Sequence, residues 1–141
     1  MALLDRKKLL EKEVLEVVQV NLGKDEFVFV RQMTGRERDR WEQSLIKETK
    51  DEKGHVESYE RSMEDFRAKL VVNCVCDEKG TNLLQPEDFE LLSQNMSARK
   101  LEKIVNVAQR LNKISEEDKE ALVKNLDAGQ AGNSSSDSVK S

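Results

Sequence analysis

Two cysteines and the single histidine are the residues whose chemistry could build a metal or redox site. Cys74 and Cys76 lie in "VVNCVCDEKG", and His55 lies in a polar stretch. At positions i and i+2 near the expected end of a helix, the two thiols point to nearly opposite sides. Four-ligand zinc sites need paired Cys/His clusters, which this chain lacks. The sequence therefore predicts no metal and no cofactor, and Cys74 is interpreted as a small core residue.

The acidic stretch after the cysteines does not fit a calcium loop. With Asp77 as the first position, Lys79 and Thr81 occupy places that need oxygen ligands, and Asn82 stands where the sharp-turn glycine belongs. We interpret "DEKG" as a turn through which the chain leaves a helix, with Gly80 in the left-handed conformation.

The sequence also contains no recognisable set of catalytic residues. The sequence contains no glycine-rich phosphate loop, no nucleophile motif and no helix that carries paired metal ligands. Its many carboxylates stand mainly at expected helix starts, where they cap backbone N–H groups. The sequence therefore predicts a binding protein that is not an enzyme.

Composition favours a domain built mainly of helices. The 141 residues are 37% hydrophobic, 37% charged and only 4% aromatic, and 24 basic against 28 acidic side chains give a net charge of -4. This balance suits amphipathic helices around a modest core and gives no general attraction to nucleic acid or an anionic membrane. The amino terminus is too charged for a signal peptide and no apolar run could span a bilayer, so we expect a cytoplasmic protein.

The first structured element is expected to be a β-hairpin over about residues 13–32. Two stretches rich in valine and phenylalanine, "EVLEVVQV" and "EFVFVRQ", flank a loop that contains Gly23. In the second strand Phe27 and Phe29 point to one face, and Val28 and Val30 to the other. Both faces are apolar, so either the domain covers both sides or one side meets a partner.

Helices are predicted for most of the remaining chain. Thr34 and Glu37 match a capping box that begins a helix over 35–48, which contains Trp41. The stripe of Tyr59, Met63, Phe66, Leu70 and Cys74 predicts a core helix over 57–75. Further helices are expected from Pro86, over 97–113 and over 115–126, followed by a disordered tail at 127–141. The expected fold class is mainly α, a compact multi-helix domain over 1–126 with a small hairpin.

The helix over 97–113 has a basic face that could in principle contact phosphates. This face carries Arg99, Lys100, Lys103, Arg110 and Lys113. It also carries an interrupting Glu102 and lacks interleaved aromatic residues, and acidic segments lie on both sides. Nucleic-acid binding is therefore not favoured.

The order of these segments resembles the tail assembly chaperones of long-tailed bacteriophages. The resemblance covers about residues 13–126 and rests on three stretches, "VRQMTGRERDRWE", the "RAKLV" to "CDEKG" helix exit, and "RLNKISEED". Each stretch alone is little more than caps and apolar positions. Their order and spacing together make the resemblance specific.

The resemblance implies a non-enzymatic assembly factor in the cytoplasm of an infected bacterium. Such a chaperone binds the tape-measure protein, keeps its apolar helical segments soluble, helps to recruit tail-tube subunits, and is absent from the mature virion. Many members are also made in a frameshift-extended form, and the tail after Leu126 would suit the linker. Self-association is expected, with Phe27, Val28, Phe29, Val30 and Trp41 as the candidate interface.

Two other classes fit the same helical pattern. A small helical adaptor or regulator unrelated to phages would share the caps and amphipathic stripes. A DNA-binding regulator would use the basic face of the 97–113 helix, and its binding would fall steeply with salt.

Overall fold

The structure is a computed structural model that describes residues 1–114. Residues 115–141, which include the predicted last helix over 115–126 and the predicted tail over 127–141, lie outside the described part. The described residues are 42% helix and 23% strand, arranged as five helices and two sheets of three and two strands. The prediction of a mainly α fold is therefore wrong, and the protein has a mixed α/β fold.

Helices and strands alternate in no simple repeat along the chain. Their order is α1 (Arg6–Leu10), β1 (Val17–Gly23), β2 (Glu26–Arg31), α2 (Gly35–Ser44), β3 (Ile46–Lys50), β4 (Val56–Arg61), α3 (Phe66–Cys74), β5 (Val75–Cys76), a 3₁₀ turn (Pro86–Asp88), α4 (Phe89–Asn95) and α5 (Ala98–Leu111).

The predicted first hairpin is present as the antiparallel pair β1 and β2. Its turn is tight, because only Lys24 and Asp25 lie between the strands, both with positive φ. Strand β5 was not predicted, and its two residues extend the sheet by pairing with β2. Since β5 follows α3 directly, the core helix and the sheet are joined without a loop.

A second hairpin, β3 with β4, replaces parts of two predicted helices. The helix predicted over 35–48 ends at Ser44, and the one predicted over 57–75 begins only at Phe66. Tyr59 and Met63 fitted the helical spacing, but they are 46% and 43% exposed and belong to no buried stripe. The hairpin turn is closed by Asp51, whose carboxylate accepts hydrogen bonds from two backbone N–H groups.

The core lies between the first sheet and the helices α2, α3 and α5. From α5 come Leu101, Ile104, Val105, Ala108 and Leu111, which form its buried apolar stripe. From α3 come Phe66, Leu70, Val71 and Cys74, and from the sheet Val20, Val30 and Val75. α5 therefore packs on α3.

Two of the predicted helix starts have the expected caps. The Thr34 hydroxyl accepts a hydrogen bond from the Glu37 N–H, and the Glu37 carboxylate accepts one from the Thr34 N–H at 2.9 Å. The Ser97 hydroxyl accepts a hydrogen bond from the Lys100 N–H at the start of α5. Among the helices of residues 1–114, none has the length and hydrophobicity needed to cross a bilayer.

Candidate protein-binding surfaces

Two residues of the predicted interface, Val30 and Trp41, are core residues. Each has a relative exposure of 0%. The Trp41 ring packs edge to face on Phe66, with ring centroids 5.6 Å apart. The guanidinium of Arg38 lies over the Trp41 ring, 5.6 Å from its centroid. Neither residue can contact a partner while this fold persists, so they are removed from the candidate interface.

The other three residues divide between the two faces of the hairpin. Val28 lies opposite Val20 and packs partly buried against the core. Phe27 is 50% exposed on the opposite face and packs edge to face with Phe29, their centroids 5.6 Å apart. The part of the predicted surface that stays accessible is therefore the Phe27 face, which we define as Phe27 and Phe29.

A buried arginine joins the first hairpin to α2 and to the turn after β5. Arg31 is 5% exposed, and its two terminal nitrogens donate to the two carboxylate oxygens of Glu37 at 2.9 and 2.7 Å. Nη2 also donates to the Asn82 side-chain oxygen at 2.7 Å, and the Asn82 amide donates to Glu37 at 3.1 Å. We call Arg31, Glu37 and Asn82 the Arg31 joint.

The charges in the Arg31 joint hold each other in the ionised state. Burial alone would raise the pKa of Glu37, but hydrogen bonds from Arg31 and from the Thr34 N–H lower it below its ordinary value. The hydrogen bond to Glu37 raises the pKa of Arg31. A bidentate pair of this kind is strong and geometrically specific, and removing one partner leaves a buried charge uncompensated. We therefore interpret the Arg31 joint as an interaction that stabilises the fold.

Asn112, just after α5, forms a second joint with the segment between β2 and α2. Its side-chain oxygen accepts a hydrogen bond from the Met33 N–H at 2.7 Å, and its amide donates to the Ala108 carbonyl at 2.9 Å. Its backbone carbonyl accepts a hydrogen bond from Arg38 at 3.0 Å. The end of α5 is thereby tied to the start of α2.

These two joints bring together two of the three stretches on which the family resemblance rests and a residue just after the other one. "VRQMTGRERDRWE" supplies Arg31, Met33, Glu37 and Arg38, "RLNKISEED" supplies Asn112, and Asn82 lies two positions after "CDEKG". Sequence reasoning could assign only the capping box to these residues, because the partners are separated by up to 79 positions.

An apolar groove that the sequence did not reveal lies between α4 and the start of α5. Its apolar lining consists of Leu84, Leu91, Leu92 and Met96, and we call it the Leu91 groove. It holds about 640 Å³, room for several apolar side chains, and Leu91 is 61% exposed. The only sign of this groove in the sequence is a short helix that contains more apolar residues than one buried face can hold.

A second apolar feature is the amino-terminal arm, which we define as residues 1–10. It contains α1 and four leucines that are 51% to 101% exposed, namely Leu3, Leu4, Leu9 and Leu10. No residue of α1 is buried. Asp5 caps α1 by accepting a hydrogen bond from the Lys8 N–H at 3.0 Å. Within residues 1–114, the arm is thus a small apolar and basic element with no buried side chain.

Both cysteines are free and buried, Cys74 at the end of α3 and Cys76 in β5. Burial raises the pKa of the Cys74 thiol to about 12 and also raises the pKa of Cys76. The turn that follows has Gly80 at a φ of 89°, the left-handed conformation expected from the sequence. In the described part of the chain, no three Cys, His, Asp or Glu side chains are grouped so that they could hold a metal ion.

The basic face of α5 is of mixed charge in the folded protein. Lys100 forms a salt bridge with Glu26 at 3.0 Å, and Glu102 on the same helix pairs with Arg67 at 2.6 Å. These pairs partly neutralise the face that a nucleic acid would need. The expectation that the chain does not bind nucleic acid stays a prediction.

Comparison with known proteins returned no relative: no family model, no curated protein and no solved structure matches this chain.

Proposed function

We propose that this protein is a tail assembly chaperone of a long-tailed bacteriophage. It binds the tape-measure protein in the cytoplasm of the infected bacterium, keeps that protein soluble, and helps to recruit tail-tube subunits. It performs no chemical reaction and is absent from the finished virion.

The meeting of two of the resembling stretches, and of a residue just after the third, at two joints is the observation that carries the proposal. Taken singly, a capping box, a helix exit and a polar helix end are common features. In this structure they form two joints, one of the Arg31, Glu37 and Asn82 side chains, and one in which the Asn112 side chain accepts a hydrogen bond from the Met33 N–H. Residues that jointly determine one tertiary arrangement support a common fold more strongly than the same residues at unrelated places.

The exposed apolar surfaces support a binding role. A protein that holds apolar helical segments in solution must itself present apolar surface, and such patches on a folded protein mark interaction sites. The Phe27 face is the accessible remainder of the surface predicted from the sequence, with Phe27 50% exposed. We assign the contact with the tape-measure protein to this face.

The remaining parts of the role come from the family resemblance. Recruitment of tail-tube subunits is assigned to a frameshift-extended form, in which residues 127–141 would serve as the linker. That segment lies outside the described residues, so its part in the proposal rests on its composition, which includes five serines and two glycines.

Suppression of aggregation tests this role with purified components. The tape-measure protein from the same phage genome is diluted out of denaturant, and light scattering is followed at increasing molar ratios of this protein. The wild-type chain is expected to suppress scattering, and Phe27→Ser to suppress it less. Tyr59→Ser is the matched control, since Tyr59 is an aromatic side chain of similar exposure, 46%, on the other hairpin.

Each outcome of this assay decides a different point. If the folded wild-type protein leaves scattering unchanged at every ratio, the chaperone proposal is wrong. If the wild type, Phe27→Ser and Tyr59→Ser suppress scattering equally, the function stands and the assignment to the Phe27 face is wrong.

A further inference from the structure

A basic pocket lies between the turn of the first hairpin and the start of α5. Its charged lining consists of Lys24 and Glu26 from the hairpin and of Arg99, Lys100 and Lys103 from α5, and we call it the Lys24 pocket. The pocket holds about 260 Å³. Since a water molecule takes up about 30 Å³ of the liquid, this is room for the carboxylate groups of two side chains.

The lining of the Lys24 pocket has an excess of positive charge. Four basic groups against one acidic group leave an excess of three positive charges, although the whole chain has a net charge of -4. The one acid is already engaged, because the Lys100 ammonium donates to the Glu26 carboxylate at 3.0 Å. Within residues 1–114, Lys24, Arg99 and Lys103 form no salt bridge.

The basic residues stand at positions of α5 that are unfavourable for the helix itself. Arg99 and Lys100 lie in its first turn, which contains no acidic residue, whereas the helix dipole favours acidic side chains there. The first turns of α2 and α4 do contain an acid, Glu37 and Glu90 respectively. Lys103 follows Arg99 by four positions, a spacing at which like charges repel. An arrangement that opposes the stability of its own helix is expected at functional sites.

An acidic helix fits the Lys24 pocket better than a nucleic acid does. Carboxylates at positions i and i+4 of a helix lie about 6 Å apart on one face, so two of them can enter one pocket. A nucleic acid needs a longer row of cations along its backbone, or aromatic side chains on which bases stack. The described lining of the pocket includes no aromatic residue, and on the same helix Glu102 pairs with Arg67 at 2.6 Å.

We propose that the Lys24 pocket binds an acidic helical segment of a partner protein, with Lys24, Arg99 and Lys103 as the cations that receive its carboxylates. This inference deepens the proposed function and rests on it in one respect, that the partner is the client protein. Glu26 lines the pocket and is directly followed by Phe27, so the pocket and the Phe27 face both lie at the turn end of the hairpin. Charged contacts at the pocket fix the orientation and register of a bound segment.

A model peptide tests this assignment without the client. The probe is a rhodamine-labelled, alanine-based peptide of about 16 residues, long enough to form a helix, with glutamates at positions i and i+4. Its binding to the full chain is measured by fluorescence anisotropy at low ionic strength. The peptide is expected to bind with an affinity that falls as salt is added, because salt screens exposed charges. The same peptide with glutamine in place of each glutamate is expected not to bind.

Variants of the pocket should change this affinity in opposite directions. Lys24→Gln with Lys103→Gln removes two of the cations and is expected to raise the dissociation constant of the glutamate peptide about tenfold. Glu26→Gln removes the acid that lines the pocket and releases Lys100 for the peptide. This variant is expected to lower the dissociation constant about threefold.

A double variant elsewhere on the surface is the matched control. Lys53→Gln with Lys113→Gln removes the same net charge at the turn of the second hairpin and just after α5, and neither residue lines the pocket. This variant should bind the glutamate peptide like the wild type. In ¹⁵N NMR spectra of the full chain, the peptide should shift the amide signals of Lys24 and of residues 97–103. Circular dichroism confirms that all variants are folded.

Several results would overturn the proposal. A folded wild-type chain that does not bind the glutamate peptide would show that the pocket takes no acidic helix. Equal weakening by the pocket variant and the control variant would show attraction to charge in general. A single-stranded oligonucleotide of equal charge that binds more tightly than the peptide, and is weakened by the pocket variant, would assign the pocket to nucleic-acid phosphates instead.

An acidic stretch of the same chain is a competing occupant, and it contains Glu116, Glu117 and Asp118. The variant Glu116→Gln with Glu117→Gln and Asp118→Asn should leave the peptide affinity within about twofold of the wild type. A gain of about tenfold would show that the chain fills its own pocket, and would overturn the proposal. Suppression of tape-measure aggregation is measured separately. If suppression persists while the peptide fails to bind, only this inference is wrong and the proposed function stands.

Discussion

The side-chain oxygen of Asn112 accepts a hydrogen bond from the backbone N–H of Met33 at 2.7 Å, across 79 positions of the sequence. The same side chain donates to the Ala108 carbonyl and, at 3.7 Å, to the Cys74 sulfur. One amide thus connects the end of α5 with the entry to α2 and the end of α3. Asn112 therefore links three elements of the fold, which its polar surroundings in the sequence do not indicate.

Replacing Asn112 by alanine should therefore destabilise the protein considerably. Asn112→Ala removes the acceptor for the Met33 N–H in a partly buried place, and leaving such a donor without a partner costs about 2 kcal/mol. The free energy of unfolding from urea titration measures the loss. Asn95→Ala, at an exposed position of α4, is the control and should change stability by less than about 0.5 kcal/mol. Equal stability of the two variants would contradict the role of the joint.

The Arg31 joint predicts a specific acid sensitivity. The pKa of Glu37 is lowered in the folded protein, so the stability it contributes is complete above the ordinary pKa of a glutamate, about 4.3, and is lost as the pH falls through the lower folded-state pKa. Glu37→Gln should cost about 3 kcal/mol near neutral pH. It should also flatten the fall of stability on acidification, measured by urea unfolding at a series of pH values.

The control for that experiment is an exposed ion pair in the same helix. Glu42 pairs with Arg38 at 3.0 Å, with about a third of each side chain exposed, so Glu42→Gln should cost less than about 1 kcal/mol. If Glu37→Gln and the wild type lose stability in parallel as the pH falls, the carboxylate of Glu37 does not have the environment described here.

Trp41 is the only tryptophan of the chain, so its fluorescence reports on the core alone. We expect a blue-shifted emission and weak quenching by iodide in the native protein, because the ring is 0% exposed, and a red shift on unfolding. Trp41→Ala should cost about 4 kcal/mol through the cavity it leaves. Native emission at the wavelength of free tryptophan would show that the ring is exposed and could serve in an interface after all.

The cysteines should be unreactive until the protein unfolds. Burial raises the pKa of Cys74 to about 12 and raises that of Cys76, and the thiolate is the nucleophilic form. A thiol reagent at mildly alkaline pH is expected to label neither residue in the native state and both in urea, with mass spectrometry as the readout. Rapid labelling of Cys74 in the folded protein would contradict its place in the core.

The sequence predicted those helices and strands that bury one face, because burial of one face produces a regular spacing of apolar residues. The stripe of α5 and its Ser97 cap are examples, as is the first hairpin with its valine-rich strands and turn. The β3–β4 hairpin was missed because most of its side chains face solvent, so its strands lack the alternation of buried and exposed positions that marks a strand. Tyr59 and Met63 matched a helical stripe by spacing alone.

The candidate site shows a different limit. Sequence alternation indicated that the hairpin has two apolar faces, and it could not show that the Val30 face is covered by the core while Phe27 stays half exposed. Trp41 was placed in the interface although the fold buries it. The Arg31 joint could not be predicted either, because Arg31 and Asn82 are 51 positions apart and only the tertiary fold brings them together.

Co-expression is the most direct test of the proposed function. The tape-measure protein from the same phage genome is produced in bacteria with and without this chain, and its soluble fraction is measured together with the copies of this chain that co-purify. The proposal predicts that most of the tape-measure protein becomes soluble only in the presence of this chain and carries many copies of it. Equal precipitation with and without a folded chain would contradict the chaperone function.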